Sequence, residues 1–89
     1  MNELKQDLKR ITDSYINSIS GKRTKSNKLE SMSQGLKLTA EYMPKLAKEL
    51  EDRINKYMNE NNIDFTPKIK ELMASEINRF NRFALNGKR

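Results

Sequence analysis

EYMPKLAKEL, residues 41–50, sets Pro44 between two runs of helical periodicity. Upstream, Leu29, Met32, Leu36, Ala40 and Met43 recur at helical steps. Downstream, Leu46, Ala47, Leu50, Ile54, Tyr57 and Met58 make a second stripe. A proline inside a helix deletes a backbone hydrogen bond, whereas in the first turn its preset φ is an advantage. Either one helix ends near Glu41 and another starts at Pro44, or a single long helix kinks there. The first-turn preference favours the break.

Working outward, Leu4, Leu8, Ile11, Tyr15 and Ile19 define an N-terminal amphipathic helix, with Asn2 as its cap and Gly21 beyond its end. Asn27 with Glu30 resembles a capping box for the next helix. Gly35 weakens that helix by ~1 kcal/mol relative to alanine. After the polar loop NENNID, residues 59–64, Thr66–Pro67 offers a hydroxyl cap and a first-turn proline. Ile69, Leu72, Met73, Ile77, Phe80 and Ala84 follow as the last stripe. No segment alternates with the period of a strand. The sequence therefore predicts an all-α single domain over 1–89, a small bundle of about four helices at 2–19, 27–42, 44–59 and 67–86. A basic loop at 20–28 and a loose basic tail at 87–89 complete it. Met32, Met43, Met58, Met73, Phe80 and the three tyrosines read as core or interface rim, and Phe83 as an interface residue.

The chain has 89 residues, 35% of them hydrophobic and 34% charged. A domain of this size buries only ~60–65% of the surface of its unfolded chain. With so little apolar surface, partial disorder of the isolated chain and completion of its core as a homodimer are both open. It contains no Cys and no His. Disulfides, Cys/His zinc sites, thiol nucleophiles and imidazole bases are thereby excluded. No phosphate-binding glycine loop or Ser/His/Asp set is present, and Glu49, Glu51 and Asp52 do not share a helix face. The reading is a protein that is not an enzyme and needs no cofactor or metal. MNELKQDLKR has no apolar signal region, and no run is long enough to span a membrane. A cytoplasmic location follows.

The net charge of +6 is unevenly distributed. Residues 1–19 are neutral, 20–28 carry +4, 29–43 and 44–64 carry −1 each, and 65–89 carry +4. Charge that served solubility alone would not cluster in this way. The loop SGKRTKSNK, residues 20–28, contributes Lys22, Arg23, Lys25 and Lys28. The last helix and tail contribute Arg79, Arg82, Lys88 and Arg89; Arg79 and Arg82 fall on a polar stripe with Lys68, Glu71, Ser75 and Asn86, and Asn78 and Asn81 lie beside it. Arg and Asn are the side chains best suited to phosphates and base edges. The competing explanation is that cations near a helix C-terminus stabilise its dipole by ~0.3–1 kcal/mol without any ligand. Lys5, Lys9, Asp7 and Arg10, and the set from Lys48 to Lys56, read as solvated helix faces. A helix-turn-helix, with its ~3–4-residue turn, does not fit the junctions.

Taken together, MNELKQDLKRITDSYINS, the basic GKRTKSNK and the terminal EINRFNRFALNGKR resemble the small double-stranded-DNA-binding protein of T-even-type phages. The similarity in length and basicity covers the whole chain. It implies a non-enzymatic binder of duplex DNA that assists transcription from late promoters, acting with the transcription machinery in the host cytoplasm. The eight candidate phosphate contacts named above rest on the charge map rather than on this resemblance. Two other readings compete. One is a protein-interaction module that docks on an acidic surface of a transcription or replication protein, through exposed apolar residues such as Phe83 and Leu85. The other, weaker, is a basic amphipathic helix on anionic membrane, which lacks a wide apolar face with Trp.

Overall fold

The computed structural model describes residues 2–22 and 28–86, and the side chains of all of these except 28–31 and Asn86. Three helices account for nearly all of it: α1 (Asn2–Ser20), α2 (Lys28–Asn61) and α3 (Pro67–Asn86). There is no strand among the described residues. The all-α class holds, but the break at Pro44 does not. The two middle helices are one helix of 34 residues.

The physical reason lies in which face Pro44 occupies. Leu38, Leu46, Leu50 and Ile54 are buried and Tyr42 is half-buried, each four positions after the last. The apolar stripe thus passes the proline without changing phase. Pro44 and Ala40 are both exposed. The carbonyl of Ala40, which loses its N–H partner, therefore sits where water can reach it. An interior proline costs ~3 kcal/mol. Full burial of each large aliphatic side chain contributes ~1.5–3 kcal/mol. Keeping both halves of the stripe on one packing surface therefore outweighs the proline.

At 1.5 Å per residue α2 is about 51 Å long, and the molecule measures 49 × 19 × 18 Å. The helix spans the whole rod, and α1 and α3 both pack on it. Its orientation relative to α1 follows from Arg53 meeting Asp7 near one end and Tyr42 meeting Tyr15 and Lys22 further along. These helices are antiparallel. Gly35 abuts Ala84, while Met58 and Met73 line one cavity, so α2 and α3 are antiparallel as well. That leaves α1 and α3 parallel.

The α2–α3 connection uses the signals present in its sequence. Asn62 adopts φ 52° after the last turn of α2. The Ile63 N–H donates to the Met58 carbonyl at 3.0 Å, and the Asn62 N–H to that of Asn59 at 3.4 Å. This pair of bonds is a Schellman ending. Asn tolerates the left-handed conformation better than most L-residues. At the start of α3, Thr66 Oγ1 accepts from the Ile69 N–H at 3.2 Å, as the cap position predicts.

Tyr15 joins all three helices. Its ring meets Tyr42 of α2 and Phe80 of α3 edge-on, each at 6.4 Å between centroids. Its hydroxyl donates to the Glu49 carboxylate. The core it belongs to includes Leu4, Leu8, Ile16, Ile19, Leu46, Leu50, Ile69 and Phe80, all buried. Buried Thr12 satisfies its hydroxyl by donating to the Leu8 carbonyl at 3.0 Å. Two sequence assignments change. Phe83, read as an interface residue, is a core residue at 6% exposure. Met32, read as core, is 52% exposed, Leu36 of the same stripe is 61% exposed, and Leu38 takes the buried place. The capping box proposed for Asn27 and Glu30 lies outside what is described.

Gly35 is required by proximity. A Cβ there would stand 2.5 Å from the Ala84 carbonyl oxygen and 3.0 Å from the Leu85 Cα. Both are backbone atoms, so the clash cannot be relieved by a side-chain rotation. Alanine would gain ~1 kcal/mol of helix propensity but would force the backbones apart. Gly35→Ala is expected to destabilise the fold by ~1–2 kcal/mol net. In a domain this small that lowers the thermal midpoint by roughly 5–10 °C, measurable by circular dichroism.

Tyr15 yields a pH prediction. Burial first, then the hydrogen bond and charge of Glu49, push its pKa up from 10.0 to about 12. The folded state thus holds this proton more tightly than the unfolded chain does. The resulting stabilisation is intact below pH 10 and is lost as pH rises from 10 through 12. In a difference-absorbance titration a tyrosine step near pH 12 should be present in the parent and absent from Tyr15→Phe. The variant should also lose less stability than the parent between those two pH values.

Candidate nucleic-acid interface

The helix directions decide where the two basic segments start. The C-terminal end of α1, the N-terminal end of α2 and the C-terminal end of α3 all lie at one end of the rod. Asp13 and Tyr15 stand level with Arg79 and Phe80, and Gly35 stands level with Ala84 and Leu85. The described flanks of the loop, Lys22 and Lys28, therefore belong to the same half of the rod as Asn86, from which the tail departs.

Within this end the eight candidate residues have different fates. Lys22 is exposed, and its backbone N–H closes a turn on the Ile19 carbonyl at 3.0 Å. Its ammonium donates to the Tyr42 hydroxyl, which raises its pKa above the ordinary lysine value. The ammonium lies 4.8 Å from the Tyr42 ring centroid, and contact with the hydroxyl places it at the ring edge rather than over the face. Lys45 approaches the same ring at 5.3 Å. Lys28 is the first residue of α2. Its side chain, and all of Arg23, Lys25, Lys88 and Arg89, lie outside the described residues.

Arg79 is engaged inside the protein. Its Nη1 donates to Asp13 Oδ1 at 2.6 Å, and Nε and Nη2 donate to Glu76 Oε2 at 3.1 and 2.7 Å. Nη2 also reaches the Lys9 carbonyl at 3.2 Å. Burial works against the charge, but the bonds to Asp13 and Glu76 outweigh it and hold the guanidinium above its ordinary pKa. This side chain clamps α3 to α1, with its donors directed at α1 and at its own helix. Arg82, one turn on, is exposed. With Glu71, Ala74, Ser75, Asn78 and Arg79 it lines an open cavity of about 440 Å³ on the outer side of α3. Asn78, noted beside the basic stripe, faces the same space.

Other charges read from sequence as solvated also join helices. Arg53 Nε and Nη2 donate to Asp7 Oδ2 at 2.8 and 2.5 Å, and Arg10 stands 3.4 Å from Asp7 Oδ1. Glu49 accepts from Tyr15. A periodicity analysis cannot distinguish such residues from solvated ones, because their partners are dozens of positions away. Among the described residues no group of three or more acidic, His or Cys side chains could hold a metal ion. No helix among the described residues is long and apolar enough to cross a membrane. The chain matches no protein-family model, no curated protein and no solved structure.

The two arginines should separate cleanly on mutation. Arg79→Ala leaves Asp13 and Glu76 without their shared donor and is expected to cost ~1–3 kcal/mol of stability in chemical denaturation. Arg82→Ala should stay within about 0.5 kcal/mol of the parent, as exposed surface changes do.

Proposed function

We propose that this protein is a non-enzymatic double-stranded-DNA-binding protein. It grips phosphates with the basic end of its helical rod and assists late transcription in a phage. The observation that carries the reading is the shared end. The +4 segment 20–28 and the +4 segment 65–89 are separated by a slightly acidic middle in sequence. The antiparallel packing of α2 against both neighbours returns Lys22, Lys28 and the C-terminal end of α3 with Arg82 to one half of a 49 Å rod. A polyanion can engage such an end at several points, whereas charges on opposite ends would not act together. Lys22, Arg23, Lys25, Lys28, Arg82, Lys88 and Arg89 serve as phosphate contacts, and Arg79 serves as a clamp. The link to late promoters and to the transcription machinery comes from the resemblance alone.

The alternative, a module docking on an acidic protein surface, is weaker than the sequence suggested. Phe83, one of its two anchor residues, is inside the core.

Duplex affinity should fall with salt. If about six cations contact phosphates, log K against log salt has a slope of roughly −5. Replacing Lys22, Arg23, Lys25 and Lys28 together with alanine should reduce the slope by about 3–4 and weaken binding at low salt. Gel-shift titrations with duplex and single-stranded probes at several salt concentrations measure both. A salt-insensitive affinity, or one unchanged in the fourfold variant, would overturn the reading.

A further inference from the structure

The core stripe of α2 is not its only apolar face. A second runs at helical spacing from Met32 and Leu36 through Ala40, Met43 and Ala47 to Met58. α1 meets α2 at Tyr42, Glu49 and Arg53. Met43 and Ile54 each lie one position beyond such a residue, turned about 100° from it. α3 meets α2 at Gly35 and around the cavity shared by Ile54, Met58 and Met73. The second face therefore follows the edge of α3 that α1 leaves uncovered.

Its two halves have opposite shapes. In one half it protrudes: Leu36 is 61% exposed and Met32 52%, and the contact at Gly35 sets exposed Leu85 beside them. In the other half it is hollow. Ile54, Met58, Phe65 and Met73 line a cavity of about 390 Å³, with Glu51 and Asn55 on its wall. Phe65 precedes the Thr66 cap, where an apolar residue ordinarily packs on the fourth helical position. That position is Lys70, so the exposed ring lines the cavity instead.

Charge divides α2 in the same way. Its exposed charges from 32 to 48 are three lysines and one glutamate, and from 49 to 61 four acids and one lysine. A protrusion on a basic half and a hollow on an acidic half are complementary, yet they cannot meet within one chain. Leu36 and Ile54 stand about 27 Å apart along a single helix. A second copy turned end for end brings them together twice, about an axis level with Lys45, midway between the two. A parallel copy would instead set like charges against each other. Near the axis Ala40 and Ala47 present only methyl groups, which lets the two α2 helices approach closely.

We propose that this face is the interface of a closed, two-fold homodimer. Met32, Leu36 and Leu85 of each copy cover the cavity of the other, and Lys37 of each faces Glu51 of the other. The second copy supplies apolar burial that a chain of this size is short of. Arg82, on the outer side of α3, stays outside the interface, so the dimer is independent of what the basic residues bind.

Sedimentation velocity over a range of protein concentrations tests this. Wild type should form a dimer that grows no further as concentration rises. Leu36→Gln changes an exposed position to a good helix former, so the fold is retained, which circular dichroism checks. It should weaken dimerisation by about 100-fold or more, because symmetry removes the buried leucine twice. Lys37→Glu and Glu51→Lys each reverse one exposed charge. Alone, each sets like charges across the interface and should weaken the dimer by at least about tenfold. An equimolar mixture of the two should regain the dimer, because each copy then meets opposite charge at both contacts. Positions 37 and 51 are about 21 Å apart along one helix, so the recovery cannot arise within a chain. A wild type that stays monomeric up to its solubility limit overturns the proposal. So does a dimer unaffected by Leu36→Gln or by the charge reversals, or a mixture that fails to recover. An assembly that lengthens with concentration also overturns it, since open head-to-tail contacts do not close.

Discussion

A 34-residue helix carries its apolar stripe through Pro44 without changing phase, and the other packing relations depend on that continuity. Because α2 is one piece, α1 and α3 share a single spine as long as the molecule. A break at Pro44 would have allowed the two halves to turn independently. The ends of α1 and α3 would then bear no defined relation to each other. The proline is tolerated because it stands on the solvent side, where the carbonyl it orphans is not buried.

The second constraint is local and steric. At Gly35 the backbones of α2 and α3 come so close that even a methyl group is excluded. This contact sets the longitudinal register of α3. It places Leu85 beside the exposed part of α2 and brings the C-terminal end of α3 level with the loop flanks. Tyr15 and Arg79 then hold α1 in the same frame, one through ring edges and a carboxylate, the other through Asp13 and the Lys9 carbonyl. Stability and the candidate interface are thus served by neighbouring residues of one stripe. Arg79 belongs to the first and exposed Arg82 to the second.

Much of this was legible in the residues. The stripes of α1 and α3, the Thr66–Pro67 start and the helix stop at the NENNID loop all carry local signals, and each appears where those signals stand. What misled at Pro44 was the choice of stripe. Met32, Leu36 and Ala40 are as well spaced as Gly35, Leu38 and Tyr42, yet the first set faces outward. Periodicity identifies an apolar face but not which of two overlapping faces a neighbour will cover. The in-phase series Leu38, Tyr42, Leu46, Leu50 and Ile54 was the signal for a continuous helix.

The sequence by itself determined that the chain is helical, that it lacks the side chains of imidazole, thiol and Cys/His metal chemistry, and that its excess charge is confined to two segments. These follow from residue type and near-neighbour spacing. Only the tertiary structure decided that Lys22, Lys28 and the C-terminal end of α3 share one half of a rod. It also decided that Arg79 is an interhelix clamp while Arg82 faces solvent, and that Met32, Leu36 and Leu85 stand exposed beside them. Those outcomes depend on contacts between residues tens of positions apart, set by the close approach at Gly35 and the unbroken course of α2, and no local pattern encodes them.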